Sequence, residues 1–219
     1  MASDTNGMKY DILKNDYLQI KHPATGRTLK LFRIVSLKKF KTKTGYDVKE
    51  GEVGGFIEGE QNLSQNDFSW IFNTAMAFDD TLLIDSSIHD QAKIFGNCIV
   101  TDCEIRGKVR VWGSCTLNEC RLTDNVDVSG ECEVAQTKVS NSSVITGKCK
   151  VVRCTISGGS RIGGNCDVTD TTLQDVSEIT GKSIVEHCHF SGRTFVKNAN
   201  VFKENRQENI ELNIISENG

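Results

Sequence analysis

The chain has 219 residues, a formal net charge of −3, 9 cysteines and 1 proline. A near-neutral balance argues against a basic nucleic-acid clamp, so DNA is not an expected partner, and equally against an acidic DNA mimic. No stretch approaches the ~20 apolar residues that span a bilayer, and residues 1–10 are polar with no apolar run behind them, so a soluble, cytoplasmic protein without membrane contact is expected.

In chain order, residues 1–63 read as an N-terminal arm and cap. Segments 17–22 and 28–40 have strand character and are joined by Pro23, Ala24, Thr25 and Gly26, a hairpin-like turn. From about residue 64 a 17-residue period takes over. Cysteine recurs at Cys98, Cys115, Cys132, Cys149 and Cys166, and glycine at Gly96, Gly113, Gly130, Gly147, Gly164 and Gly181. Three apolar rows keep the same step, one through Leu83, Val100 and Leu117, one through Ile88, Ile105 and Leu122, one through Ile94, Val111 and Val128. Three short alternating segments per repeat predict a solenoid with three strands per turn. One turn is written by residues 98–102, 103–108 and 109–114, with first and third positions inward, the period-two rule of a strand. Eight turns fit, starting at 64, 81, 98, 115, 132, 149, 166 and 183, the first degenerate. The tube is then about 38 Å long at ~4.8 Å per turn. Residues 64–200 form the predicted solenoid, and 201–219 a C-terminal cap or tail with a short strand at 210–215.

The cysteines carry no C-x-x-C spacing, and most sit at first strand positions that want a small inward side chain. Rungs ~4.8 Å apart match poorly with the ~3.8 Å Cβ separation of a disulfide. Buried thiols, with no bridge, no metal and no cofactor, are the expectation, and they fit a reducing compartment.

The small-x-aliphatic unit, as in Val109-Arg110-Val111 and Cys103-Glu104-Ile105, resembles the hexapeptide-repeat left-handed β-helix. The cap segment Val53-Gly54-Gly55-Phe56-Ile57 with Asn62-Leu63-Ser64, followed by repeats such as Ala92-Lys93-Ile94-Phe95-Gly96-Asn97, is similar to YdcK-like proteins of bacteria and phages, over about residues 28–200. The resemblance implies an all-β chain, a single-stranded left-handed parallel β-helix of triangular coils with a small N-terminal β cap. The left hand comes from the resemblance alone. The family is named after acyltransferases, but a shared fold does not carry an activity.

A hexapeptide-class acyltransferase typically works as a trimer with a catalytic histidine, a loop breaking the coils and an acyl or CoA groove. Here the 17-residue count is unbroken between residues 81 and 199. Of the four histidines, His22 is in the cap, His89 is at an outward position, His187 ends a strand and His189 points outward while Cys188 points inward. No catalytic residue is assigned. The outward positions are more informative. Phe78, Phe95 and Trp112 share one register and predict an exposed aromatic ladder on the third face, with Met76, Lys93 and Arg110 in the neighbouring register and Arg106, Lys108 and Arg121 across the adjoining corner. Aromatics flanked by cations suit a partner's acidic surface, a nucleotide or a subunit interface, though an outward aromatic also simply favours a strand. A second outward apolar group, Leu82, Ile84 and Ile99, is expected under the cap or tail. The leading expectation is a non-enzymatic binding protein that presents a β-helix face to a macromolecular partner or to itself; the likeness to phage-borne chains points to an inhibitor of a host defence system, acting in the host cytoplasm. The alternatives are an acyl- or acetyltransferase trimer and a nucleotide sponge in which Lys93, Arg110 and Trp112 hold base and phosphate.

Overall fold

A computed structural model describes residues 7–208 apart from 137, 149, 154, 166, 171, 175, 181–183, 187–188, 192–193, 198–199 and 203–205. Strands of two to four residues stack in parallel on three faces, with partners 17 positions apart from Trp70 to Lys197: Val100 sits between Leu83 and Leu117, Ile105 between Ile88 and Leu122, and Val111 between Ile94 and Val128. The first face is an 8-stranded sheet, the second a 9-stranded sheet and the third an 11-stranded sheet. The chain is thus a parallel β-solenoid of about 7 turns. The degenerate turn at residue 64 lacks its first-face strand; a single bridge from Leu63 to Leu83 takes its place. At the other end, strands Asn200–Phe202 and Arg206–Glu208 continue the parallel pairing past residue 200. The strand expected at 210–215 lies outside the described residues.

The core is the three inward aliphatic rows with a small residue two positions before each. Cys98, Cys103, Cys115, Cys120 and Cys132 are buried thiols. They donate to backbone carbonyls of the coil, as from Cys120 to Val134 at 2.8 Å and from Cys132 to Ser129 at 2.9 Å. Cys149, Cys154, Cys166 and Cys188 lie outside the described residues.

The corners need left-handed backbone, and each is a row. The corner after the first face runs Asp85, Asp102, Glu119, Gln136, Arg153 and Asp170, all with φ between 42° and 56°. Aspartate there has a second use: the Asp90 and Asp79 carboxylates accept the N–H of Gly107 and Gly96, the next residues in their rows, at 2.9 and 3.0 Å.

The cap consists of five strands: β1 (Tyr10–Lys21), β2 (Thr28–Ser36), β3 (Phe40–Lys41), β4 (Asp47–Val48) and β5 (Val53–Ile57). β1, β2 and β5 form an antiparallel run, and β5 then pairs parallel with the first third-face strand, Phe56 against Met76 and Ile57 against Ala77. The cap therefore extends the third-face sheet. Gly54 and Gly55 let it come close, since a Cβ at Gly55 would stand 2.4 Å from the Ala75 carbonyl oxygen. The tube's N-terminal end is plugged by Lys9 and Tyr10. The buried Lys9 ammonium donates to Asp67 Oδ1 and to the Ser69 carbonyl, both at 2.9 Å, and the Tyr10 hydroxyl donates to the Leu63 carbonyl at 2.6 Å. Burial pushes the Lys9 pKa down, against the pull of Asp67.

Gly113 tests the stacking directly. It has φ of +100°, and a Cβ there would meet the Gly130 oxygen at 2.5 Å; Gly159 has φ of +80° but open space around it. Gly113→Ala is expected to cost about 2–4 kcal/mol, backbone strain plus overpacking. Gly159→Ala is expected to cost about 1 kcal/mol, strain alone. Urea unfolding of the two variants checks the difference.

Candidate interaction surface

The aromatic ladder on the third face forms, but most of it is covered. Phe78 and Phe95 stack at 4.9 Å with planes 1° apart, and Phe95 and Trp112 at 6.1 Å and 5°. In-register strands impose this, because equivalent side chains must lie one above another. Phe78 is 0% exposed and Phe95 4%, whereas Trp112 is 37% exposed. The expectation of an exposed ladder is therefore corrected. The β1–β2 turn folds over its lower two rings: the His22 ring meets Phe78 and Phe95 edge-on at 5.8 and 5.7 Å. Leu29, Leu31 and Phe56 complete a second small core with them. Two bare rings would expose a large apolar patch, and the hairpin removes it.

His22 holds that turn. Its Nδ1 accepts the N–H of Ala24 and Thr25 at 3.2 and 3.0 Å, so Nε2 carries the proton and donates to Asp79 Oδ2 at 2.8 Å. Arg27 donates to the other oxygen of Asp79 at 2.9 Å. Both ring nitrogens are committed to building the turn. Beside the turn lies a polar groove of about 530 Å³, lined by Thr25, Arg27, Glu58, Gln61, Asp79 and Asp80 among others. The turn also borders a smaller notch of about 210 Å³, lined by Pro23, Ala24, Phe95, Arg110, Trp112 and Asp127.

One carboxylate fixes two exposed side chains of the notch. Asp127 accepts the Trp112 indole N–H at 3.2 Å through Oδ1 and the Arg110 guanidinium through Oδ2. Lys93, half-buried, is the in-register partner of Arg110 on the rung below.

The remaining cations are elsewhere. Arg106 and Arg121 belong to the second face, where the β3–β4 hairpin lies over the coil. Arg121 binds Glu104 Oε2 through two nitrogens, at 3.0 and 2.7 Å, and the Tyr46 hydroxyl donates to Glu104 Oε1. Arg106 donates to the Tyr46 hydroxyl at 3.3 Å. Burial pushes the Glu104 carboxyl up, but Tyr46 and Arg121 outweigh it and hold it below the usual range. These two arginines secure the chain's own hairpin. Lys108 is exposed at the corner between the two faces. So the eight residues expected to form one site divide: Phe95, Arg110 and Trp112 line the notch, with Phe78 and Lys93 beside it, while Arg106 and Arg121 do not belong to it. Leu82 and Ile84 are half-buried and Ile99 is 44% exposed, so Ile99 is not covered as expected.

No protein-family model matches the chain, and no curated protein matches it. The site must therefore be read from its own geometry. No group of three or more His, Cys, Asp or Glu side chains suited to a metal occurs among the described residues. Nor is any helix there long and apolar enough to cross a membrane. His187 and Cys188 lie outside the described residues, as does the side chain of His189.

Sequence reasoning placed His89 outward and missed that it is buried. Its ring stacks on Phe72 at 4.3 Å and is met by Tyr46 at 4.5 Å, and Nε2 has no hydrogen-bond partner among the described residues. The hairpin that covers it carries no periodic signal.

Burial first, then Arg106, pushes the His89 pKa down to about 4, while Asp90 and Glu104 oppose. A depressed histidine pKa means that the unfolded chain binds more protons between about pH 4 and 6.5. The contribution is fully present above about 6.5 and is lost as pH falls toward 4. Unfolding free energy should drop on the order of 3 kcal/mol across that window. His89→Phe should flatten this dependence, as read by urea unfolding at several pH values.

Proposed function

We propose that this chain is a non-enzymatic binding protein, and that it docks a macromolecular partner on the third face beside Trp112. The observation that carries the reading is the single carboxylate of Asp127, which fixes an exposed tryptophan and an exposed arginine at the lip of an apolar notch. Pre-fixed aromatic and arginine side chains are the residue types that anchor protein interfaces, and fixing them lowers the ordering cost of association. The parallel with phage-borne YdcK-like chains suggests a host protein as the partner, held by occlusion of its surface.

Two rival readings find less support. A histidine base needs an accessible nitrogen free to take a proton; among the described histidine side chains, both nitrogens of His22 are committed and His89 is stacked beneath a hairpin. A nucleotide sponge needs room for base and phosphate. The notch, at about 210 Å³, is smaller than the ~300–1,000 Å³ usual for small-ligand pockets.

The double variant Trp112→Ala with Arg110→Glu should lose capture of the partner from host lysate while its circular dichroism and melting temperature stay those of the parent. Undiminished capture would sink the assignment of the face. A trimer whose melting temperature rises with acetyl-CoA would instead establish the acyltransferase reading.

A further inference from the structure

We infer, building on that binding role, that the notch takes an extended peptide segment of the partner in which an apolar side chain is flanked by aspartate or glutamate. Size comes first. About 210 Å³ bounded by Pro23, Ala24, Phe95 and Trp112 accommodates an aliphatic side chain, whereas a drug-sized ligand or a nucleotide asks for more. The walls are rigid: Trp112 is clamped by its stack on Phe95 and by its bond to Asp127, and the opposite wall is the turn that His22 pins. A preformed notch costs little to order and suits a short anchor.

Charge supplies the second half. Lys93 and Arg110 are direct cross-strand partners, so two cations stand side by side, with the Asp127 carboxylate on the next rung. Arg110 is 61% exposed and donates to Asp127 through one terminal nitrogen. A guanidinium has five N–H donors in a fixed fork, so the others can donate to a second carboxylate in a planar, paired geometry. The strand that carries Arg110 and Trp112 already has neighbours on both sides. The visiting segment therefore has no sheet edge to extend here, and its side chains must supply the recognition.

Trp112 is its own reporter. The chain has 2 tryptophans, and Trp70 is 0% exposed, so a ligand-induced change in tryptophan emission reads position 112. The probes are a capped Asp-Leu-Asp tripeptide amide, its Lys-Leu-Lys and Asp-Ser-Asp counterparts, and adenosine monophosphate. The first should reach half-effect at a concentration about tenfold below each of the others, a difference of about 1.4 kcal/mol. Arg110→Gln should bring the acidic and basic peptides to parity. Trp112→Phe, which keeps the stack, should abolish the emission change. Equal response to acidic and basic peptides, no response at millimolar peptide, or a stronger response to adenosine monophosphate would overturn the assignment. If partner capture still depends on Trp112 in that event, the binding role stands and only the ligand chemistry falls.

Discussion

Parallel hydrogen bonding in strict register is the constraint on which the rest of this molecule depends. Backbone N–H groups of one rung are answered by carbonyls about one turn away, further on as from Arg110 to Val126 and from Thr116 to Cys132, or back as from Asp102 to Ile84 and from Glu119 to Thr101. This leaves no freedom to slide, because a one-residue slip would turn every buried side chain outward. Columns follow automatically. Aliphatic side chains stack into a core, thiols stack into a column of small residues, and corner residues stack on corner residues. Opposite charges placed one turn apart reinforce the same register, as in Glu104 beneath Arg121, Arg110 beneath Asp127 and Glu131 beneath Lys148. Exposed pairs of this kind contribute little energy individually; their value is that a shifted register would lose them all.

A column of large aromatic side chains on an outer face is a liability of such a fold, and the cap resolves it. The β1–β2 hairpin does two jobs at once. It adds antiparallel strands to the end of the third-face sheet, and its turn covers Phe78 and Phe95. The β3–β4 hairpin covers Phe72 and His89 on the second face in the same manner. Covering stops one rung short of Trp112. The place where the chain's own cover ends, with a ring still in the stack and a wall formed by Pro23 and Ala24, is the place proposed above for a partner.

The repeating part of the architecture was legible because each of its rules is written many times. The three aliphatic rows, the small inward residues and the 17-residue step come from identical environments repeated along the axis, and the buried thiols follow from them. The cover was not legible, because it is made once. Nothing periodic says that His22 will meet Phe78, or that Tyr46 will lie against His89. The outward direction of Phe78, Phe95 and His89 was therefore readable and their burial was not. The same gap separates Arg106 and Arg121 from Arg110: sequence distance around a corner looks like proximity, but Tyr46 and Glu104 draw the first two into a different assembly. Corner residues such as Glu119, Gln136 and Arg153 give no sign of left-handed backbone in their identity; only their place in a row with Asp85 and Asp102 does.

Because neighbouring turns repeat the same contacts, the interior of the rod has no unique length. An in-frame duplication of one repeat would insert a rung whose every hydrogen bond, corner and core contact already exists in its neighbours. The plug at Lys9 and the notch at Trp112 would be left untouched if the copy entered further along. Distance between the proposed docking face and the distal end could thus be reset in steps of about 4.8 Å, which makes this scaffold a ruler whose length can drift in evolution while the notch stays constant.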